Sequence, residues 1–227
     1  MAAEDVFHKK HEDVVAKDKK AILEELNLPP VVIEFFRKNE TMIKVGLVIL
    51  VVLVLGGEGY QKYTANQAEK SSAMLYSALQ STDMARESKI LGQLSKKYSH
   101  TGSALWAYIE LGHVAFKKGD FSQAADFYSK ALAKISDTHP MYPLVLYSLA
   151  QAYENMDKVD KAKDAFLKLT DINGFIGEGD LGLARIYEKH GDPAQALTYY
   201  QEYIKLPETQ PGAIKNWVMT RIAQLQK

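Results

Sequence analysis

Few side chains in this 227-residue chain have the types and spacing that chemistry requires. Cysteine is absent, which removes thiol nucleophiles, Cys-ligated zinc, disulfides and a lipid-modified N-terminal cysteine together. His8 and His11 stand three apart and would share a helix face as two metal ligands, but no further His or Cys lies near enough to complete a site. Gly174, Gly177 and Gly179 look like a phosphate-cradling loop only in spacing: no strand precedes them, so they read as a turn. The motifs G-x-S-x-G, H-E-x-x-H and G-x-x-x-x-G-K-[ST] do not occur. His113 and His190 each stand alone, the usual setting of a structural histidine. These residues predict no catalytic site, no cofactor and no metal. Function must then lie in the surfaces that the secondary-structure elements build.

Charge excludes one class of surface. The 28 Lys+Arg and 28 Asp+Glu cancel, so the cationic excess that phosphate neutralisation needs is missing and no nucleic-acid partner is expected. Hydrophobic residues at 47% and aromatics at 10% are ample for a packed core. The balance is uneven along the chain: residues 1–40 carry seven cations against nine anions, and residues 60–99 carry six against three.

Between those segments runs Val45-Gly46-Leu47-Val48-Ile49-Leu50-Val51-Val52-Leu53-Val54-Leu55, with no polar side chain. Eleven consecutive apolar residues exceed the usual strand. From Thr41 to Tyr60 there are twenty residues, which as a helix rise roughly 30 Å, enough to cross a bilayer. Lys44 can snorkel, and Phe35-Phe36 before the run and Tyr60 and Tyr63 after it suit interfacial belts. Over forty mixed-charge residues precede the run, unlike the short basic start of a signal peptide, so an uncleaved anchor is expected. Arg37, Lys38 and Lys44 before it against Lys62 and Lys70 after it favour the N-terminus inside.

The flanks divide accordingly. Residues 1–40 form a charged, cytoplasmic tail interrupted by Asn27-Leu28-Pro29-Pro30, residues 41–60 the membrane helix, and residues 61–99 a helix pair (64–80 and 84–98) broken near Ser81-Thr82-Asp83, where an N-cap is invited. Helical periodicity then continues to the end, giving an all-α class. Residues 100–227 repeat themselves. Leu111-Gly112 is followed by Ala115, Gly119-Asp120, Ala124, Tyr128 and Ala131; Leu149-Ala150 by Tyr153, Ala162, Phe166 and Leu169; Leu183-Ala184 by Tyr187, Gly191-Asp192, Ala196, Tyr200 and Tyr203. This pattern resembles the tetratricopeptide repeat, an α-solenoid of helix pairs A and B. The first copy departs at Ala115 and gains four residues around Ser136–His139. Gly212–Gln226, with Ile214, Trp217, Val218, Ile222 and Leu225, fits a terminal capping helix, and residues 61–99 a degenerate extra pair.

In that architecture the A helices line the concave face at fixed positions. These are Trp106, Ile109, His113, Phe116 and Lys117; Leu144, Tyr147, Gln151, Glu154 and Asn155; and Glu178, Leu181, Arg185, Glu188 and Lys189. The groove expected from them, with Trp106, Ile109, His113, Phe116, Leu144, Tyr147, Gln151, Leu181 and Arg185 as its core, is apolar and aromatic over two rows and mixed in charge over the third. It suits an extended or partly unfolded protein segment, or a partner helix.

Phe35-Phe36 and Asn39 before a single span, followed by a short repeat domain, is similar to YfgM-like proteins, ancillary subunits of the bacterial SecYEG translocon. The resemblance runs from about Pro30 to the C-terminus. It implies a single-pass inner-membrane protein, N-terminus cytoplasmic, whose periplasmic repeats act with periplasmic chaperones on newly translocated proteins. Rival expectations are a membrane-anchored scaffold for envelope biogenesis or cell division, a cytosol-facing import-receptor-like protein, and an enzyme or enzyme regulator with an unrecognised site.

Overall fold

The computed structural model describes residues 29–206 and 212–226. His8, His11 and the expected tail through residue 28 lie outside the described residues. Among those described there are ten helices and no strand: α1 (Pro30–Lys38), α2 (Glu40–Leu79), α3 (Met84–Lys97), α4 (Gly102–Lys117), α5 (Phe121–Leu132), α6 (Tyr142–Asn155), α7 (Val159–Thr170), α8 (Ile176–Lys189), α9 (Pro193–Lys205) and α10 (Gly212–Leu225). The chain divides into two compact units, Met1–Tyr63 and Thr64–Lys227.

In the first unit the Pro-Pro pair starts a helix. Pro30 takes the first helical position of α1, where its missing N–H costs nothing. Asn39 then leaves helical geometry at φ −112° and ψ 20°. Its backbone N–H and its side-chain amide both donate to the Phe35 carbonyl at 3.0 Å, while its own carbonyl accepts from Ile43 N–H at 2.9 Å. One residue thus closes α1 and opens α2. Along α2 the apolar run Val45–Leu55 is exposed, and an 18-residue window of mean hydropathy 2.1 has none of its residues buried. By length and composition this helix can cross a membrane. It does not stop at residue 60 but runs to Leu79. Gly56, Gly57 and Gly59 weaken the helix there by about 1 kcal/mol each without ending it, because no proline or left-handed residue follows. The first helix expected over 64–80 is therefore the end of α2.

The second unit is a stack of helix pairs. Ser71 and Ala78 on the last turns of α2 are fully buried; the Ser71 hydroxyl donates to Ser103 Oγ at 3.1 Å, and Ala78 joins Leu91, Leu94, Tyr98, Ala104, Ala107 and Leu111 in one core cluster. Asp83 caps α3 by accepting from Ala85 N–H at 2.8 Å. Three hairpins follow, α4/α5, α6/α7 and α8/α9. Ala124, Ala162 and Ala196 are all 0% exposed and let each B helix close on its A helix. One turn of helix further on, the fully buried Tyr128, Phe166 and Tyr200 fill the space between them, each contributing about 2–3 kcal/mol of apolar burial. A Cβ at Gly112 would run into the Tyr128 ring, and one at Gly182 into Phe166, so glycine is required where these rings meet the A helices.

The hairpin turns repeat to the atom. In each, the third residue past the helix donates back to the carbonyl of the third-last helical residue: Asp120 to Ala115 at 3.0 Å, Lys158 to Tyr153 at 2.9 Å, Asp192 to Tyr187 at 2.9 Å. This Schellman arrangement puts the preceding residue in the left-handed region. Gly119 and Gly191 occupy it at φ 78° and 79°, and Asp157 at φ 58°. At the far end, α10 buries Val218 against Tyr200, Tyr203, Ala184 and Ala196, with Ile222 and Leu225 packed alongside.

Candidate functional site

The A-helix face is carried by α4, α6 and α8. Trp106 and Leu144 hold the same position in consecutive repeats, and both are exposed, at 42% and 47%. The third repeat places Glu178 there, with Oε2 buried and, among the described residues, without a hydrogen-bond partner. Ile109 is 3% exposed and belongs to the core with Leu105, Tyr128 and Leu149, so it supports this face from beneath. His113 is half-buried, its ring 5.7 Å from that of Tyr128 and its Nδ1 3.4 Å from Glu110 Oε2. Phe116 sits edge-on to Phe121 at 5.0 Å, which ties α4 to the start of α5. Gln151 is half-buried and lends its carbonyl to the Asn155 side chain at 2.8 Å. Leu181 packs against the C-terminal core cluster.

Tyr147 and Arg185 come together over one ring. Phe166 receives the edge of Tyr147 at 6.1 Å and the Arg185 guanidinium at 5.7 Å. Arg185 also grips Glu154 with both prongs, Nε to Oε1 at 3.1 Å and a terminal amino group to Oε2 at 2.8 Å, so α8 is stapled to α6. Burial works against the Arg185 charge, and the Glu154 carboxylate more than offsets it, holding the guanidinium above its ordinary value. Burial likewise raises the Tyr147 phenol, with Arg185 opposing.

Beyond this staple an open cleft of about 470 Å³ is lined by Glu154, Arg185, Glu188, Lys189, Tyr200, Trp217 and Arg221. Its charges are paired internally. Glu188 accepts from the Tyr200 hydroxyl at 2.9 Å and pairs with Arg221, and Lys189 reaches Asp157 at 2.8 Å. Two parts result: an exposed apolar stretch on the first two repeats, and a polar cleft beside the third whose charges, Glu178 lying outside it, are paired. Sequence spacing did not bring Trp217, Arg221 or Tyr200 into this region. One signal for them exists: Arg221 stands between Val218 and Ile222 on the packed side of α10, a position where a cation requires a carboxylate.

Gly174 has φ 86° and forms the turn before α8, and a Cβ at Gly179 would come 2.8 Å from the Phe166 carbonyl oxygen. Gly174 serves the turn, and Gly179 the close crossing of α7 and α8. Among the described residues no group of three or more His, Asp or Glu is placed to hold a metal.

Residues 34–227 match the tetratricopeptide repeat-like domain family. Mouse superkiller complex protein 3 is 28% identical over 151 residues, 66% of this chain and 9% of that protein. Mouse tetratricopeptide repeat protein 8 is 30% identical over 126 residues, 55% of this chain and 23% of that protein. The chain thus spans less than a quarter of either relative. Among solved structures, the APC/C hetero-tetramer Cut9–Hcn1 superposes with a TM-score of 0.54 at 17% identity, over 77% of this chain and 34% of that one, a likeness of fold.

Proposed function

We propose that the chain, a member of the tetratricopeptide repeat-like domain family, whose members generally serve as protein-binding scaffolds, is a membrane-tethered adaptor for extended protein segments. The observation that carries this reading is the exposure of Trp106 and Leu144 at one repeat position, beside a polar stretch whose charges are internally paired. An apolar segment laid along α4 and α6 gains burial, whereas an acidic peptide finds no unengaged arginine in the cleft. The exposed apolar part of α2 is the anchor, with the N-terminus cytoplasmic and the repeats periplasmic. Tethering raises the local concentration of the groove, so weak binding suffices. The partners this reading names are the SecYEG translocon and periplasmic chaperones, and the clients are newly translocated chains.

A photo-crosslinking residue at Trp106 or Leu144 tests it, with Leu167, exposed on the B helix α7, as the comparison. Adducts with a translocon subunit, a chaperone or a nascent chain at the first two positions, at least about fivefold above Leu167, are expected. Equal labelling at all three positions, or none, refutes the groove. A reporter fused after Lys227 that reads as cytosolic refutes the topology.

A further inference from the structure

The short helix α1 belongs to the first unit, and its side chains are sorted with unusual strictness. At about 100° per residue, Val31, Val32, Ile33, Phe35 and Phe36 fall on one continuous arc and Glu34, Arg37 and Lys38 on the remainder. The order around the helix is informative. Lys38 adjoins Val31 at one border of the apolar arc, Arg37 adjoins Ile33 at the other, and Glu34 points away from the arc's centre. Val31 is 78% exposed, Phe35 59% and Phe36 42%, and α1 has no buried residue. Two cations at the last turn would suit the helix dipole anywhere around the helix. Flanking the apolar arc on both sides is what side chains need if they are to bury their stems beside it and lift their charges to phosphate.

We infer that α1 is an interfacial helix: it lies along the anionic surface of the bilayer that α2 enters, with its five apolar side chains among the upper acyl chains and Arg37 and Lys38 on lipid phosphates. Asn39 makes this possible. By capping both helices it interrupts the rod, so α1 need not follow α2 into the hydrocarbon. Charge complementarity chooses the occupant: the two cations outnumber Glu34, and an anionic lipid surface satisfies them and the apolar arc together. This inference rests on α2 being the membrane anchor.

The absence of cysteine makes single-label experiments clean. Full-length Val32→Cys, Glu34→Cys and Leu50→Cys variants, each carrying an environment-sensitive fluorophore, are reconstituted in vesicles of three parts phosphatidylcholine to one part phosphatidylglycerol and titrated with acrylamide. Val32, at the centre of the apolar arc, is expected to be quenched at least about threefold less than Glu34, and Leu50 least of all. Equal quenching at Val32 and Glu34 with Leu50 protected overturns the interfacial helix while leaving the anchor standing. Strong quenching at Leu50 removes the anchor, and the inference with it. In vesicles without phosphatidylglycerol the Val32 protection should weaken about twofold; unchanged protection there overturns the role given to Arg37 and Lys38.

Discussion

Asp180 is 4% exposed on α8, a carboxyl where the repeat could have buried an apolar residue. Burial, reinforced by the nearby Glu202 charge, lifts it to about 6. The sign of the consequence follows from the proton balance. A group whose folded-state pKa lies above its unfolded value of about 3.9 holds its proton more tightly when folded, so stability falls as pH rises between roughly 4 and 6. Above that window the folded unit carries a buried charge at a cost on the order of 2 kcal/mol. Asp180→Asn keeps the shape and removes the charge. Its advantage over the parent in chemical denaturation should be near zero at pH 4 and grow to roughly 2 kcal/mol at pH 7; an advantage that does not change with pH would show that Asp180 titrates alike in the folded and unfolded chain. Arg185 is the contrasting case, a charge whose burial is matched by a bidentate partner in Glu154. Single residues of this kind were the hardest to read from sequence. Arg185 was visible as a groove position, but its pairing with Glu154, 31 residues away, depends on how α6 and α8 cross. Ile109, read as a groove residue from its repeat position, is core because Leu105 and Tyr128 surround it.

The three hairpins test how far a turn is specified by its residues. Gly119-Asp120 and Gly191-Asp192 combine a glycine in the left-handed region with an aspartate that accepts from the N–H three residues on, Gln123 and Gln195, both at 3.0 Å. The middle hairpin has Asp157-Lys158 instead, with the same backbone turn and no side-chain cap on α7. Asp157 accepts the left-handed conformation better than most residues. Its carboxylate is drawn below its ordinary value by the hydrogen bond and charge of Lys189, with His190 adding to it. Both partners are largely exposed, so the pair adds little stability. The double change Asp157→Gly with Lys158→Asp should therefore raise the thermal midpoint, the new cap alone contributing about 1 kcal/mol. A lowered midpoint would mean that the link from Asp157 to α8 outweighs both gains. Helix pairs and their turns were readable because Gly-Asp, buried alanine and an aromatic recur at fixed offsets. The continuity of α2 past residue 60 was not, since Gly56, Gly57 and Gly59 look like a stop but have neither proline nor a left-handed residue to enforce one.

Apolar clusters in the second unit form a chain, and particular residues are its links. Phe127 packs against both the cluster of Ala78, Leu91 and Leu94 and that of Leu105, Tyr128 and Val145. Leu132 and Tyr153 join the latter to the cluster around Phe166, and Tyr187 and Tyr199 join that one to the cluster around Tyr200 and Val218. Each cluster touches only its neighbours, so stability is a sum of local terms and nearest-neighbour couplings, and the ends are the weakest places. This explains why α10, with Trp217 against the Tyr200 ring and Val218 in the same cluster, is needed: without it Tyr200 and Tyr203 would face water. A charge placed at Val218, which is fully buried, should open the stack from that end only. In Val218→Asp, amide hydrogen exchange is expected to accelerate by at least about tenfold in α10, α9 and α8, where the disturbed cluster reaches, and to stay within about twofold of the parent in α4 and α5, whose core is two clusters away. Trp106 crosslinking should survive the same substitution, because the exposed apolar stretch lies on the repeats that remain closed. Uniform acceleration from α4 to α10 would instead make the unit a single cooperative block, in which the links through Tyr153 and Tyr187 are as strong as the clusters they join.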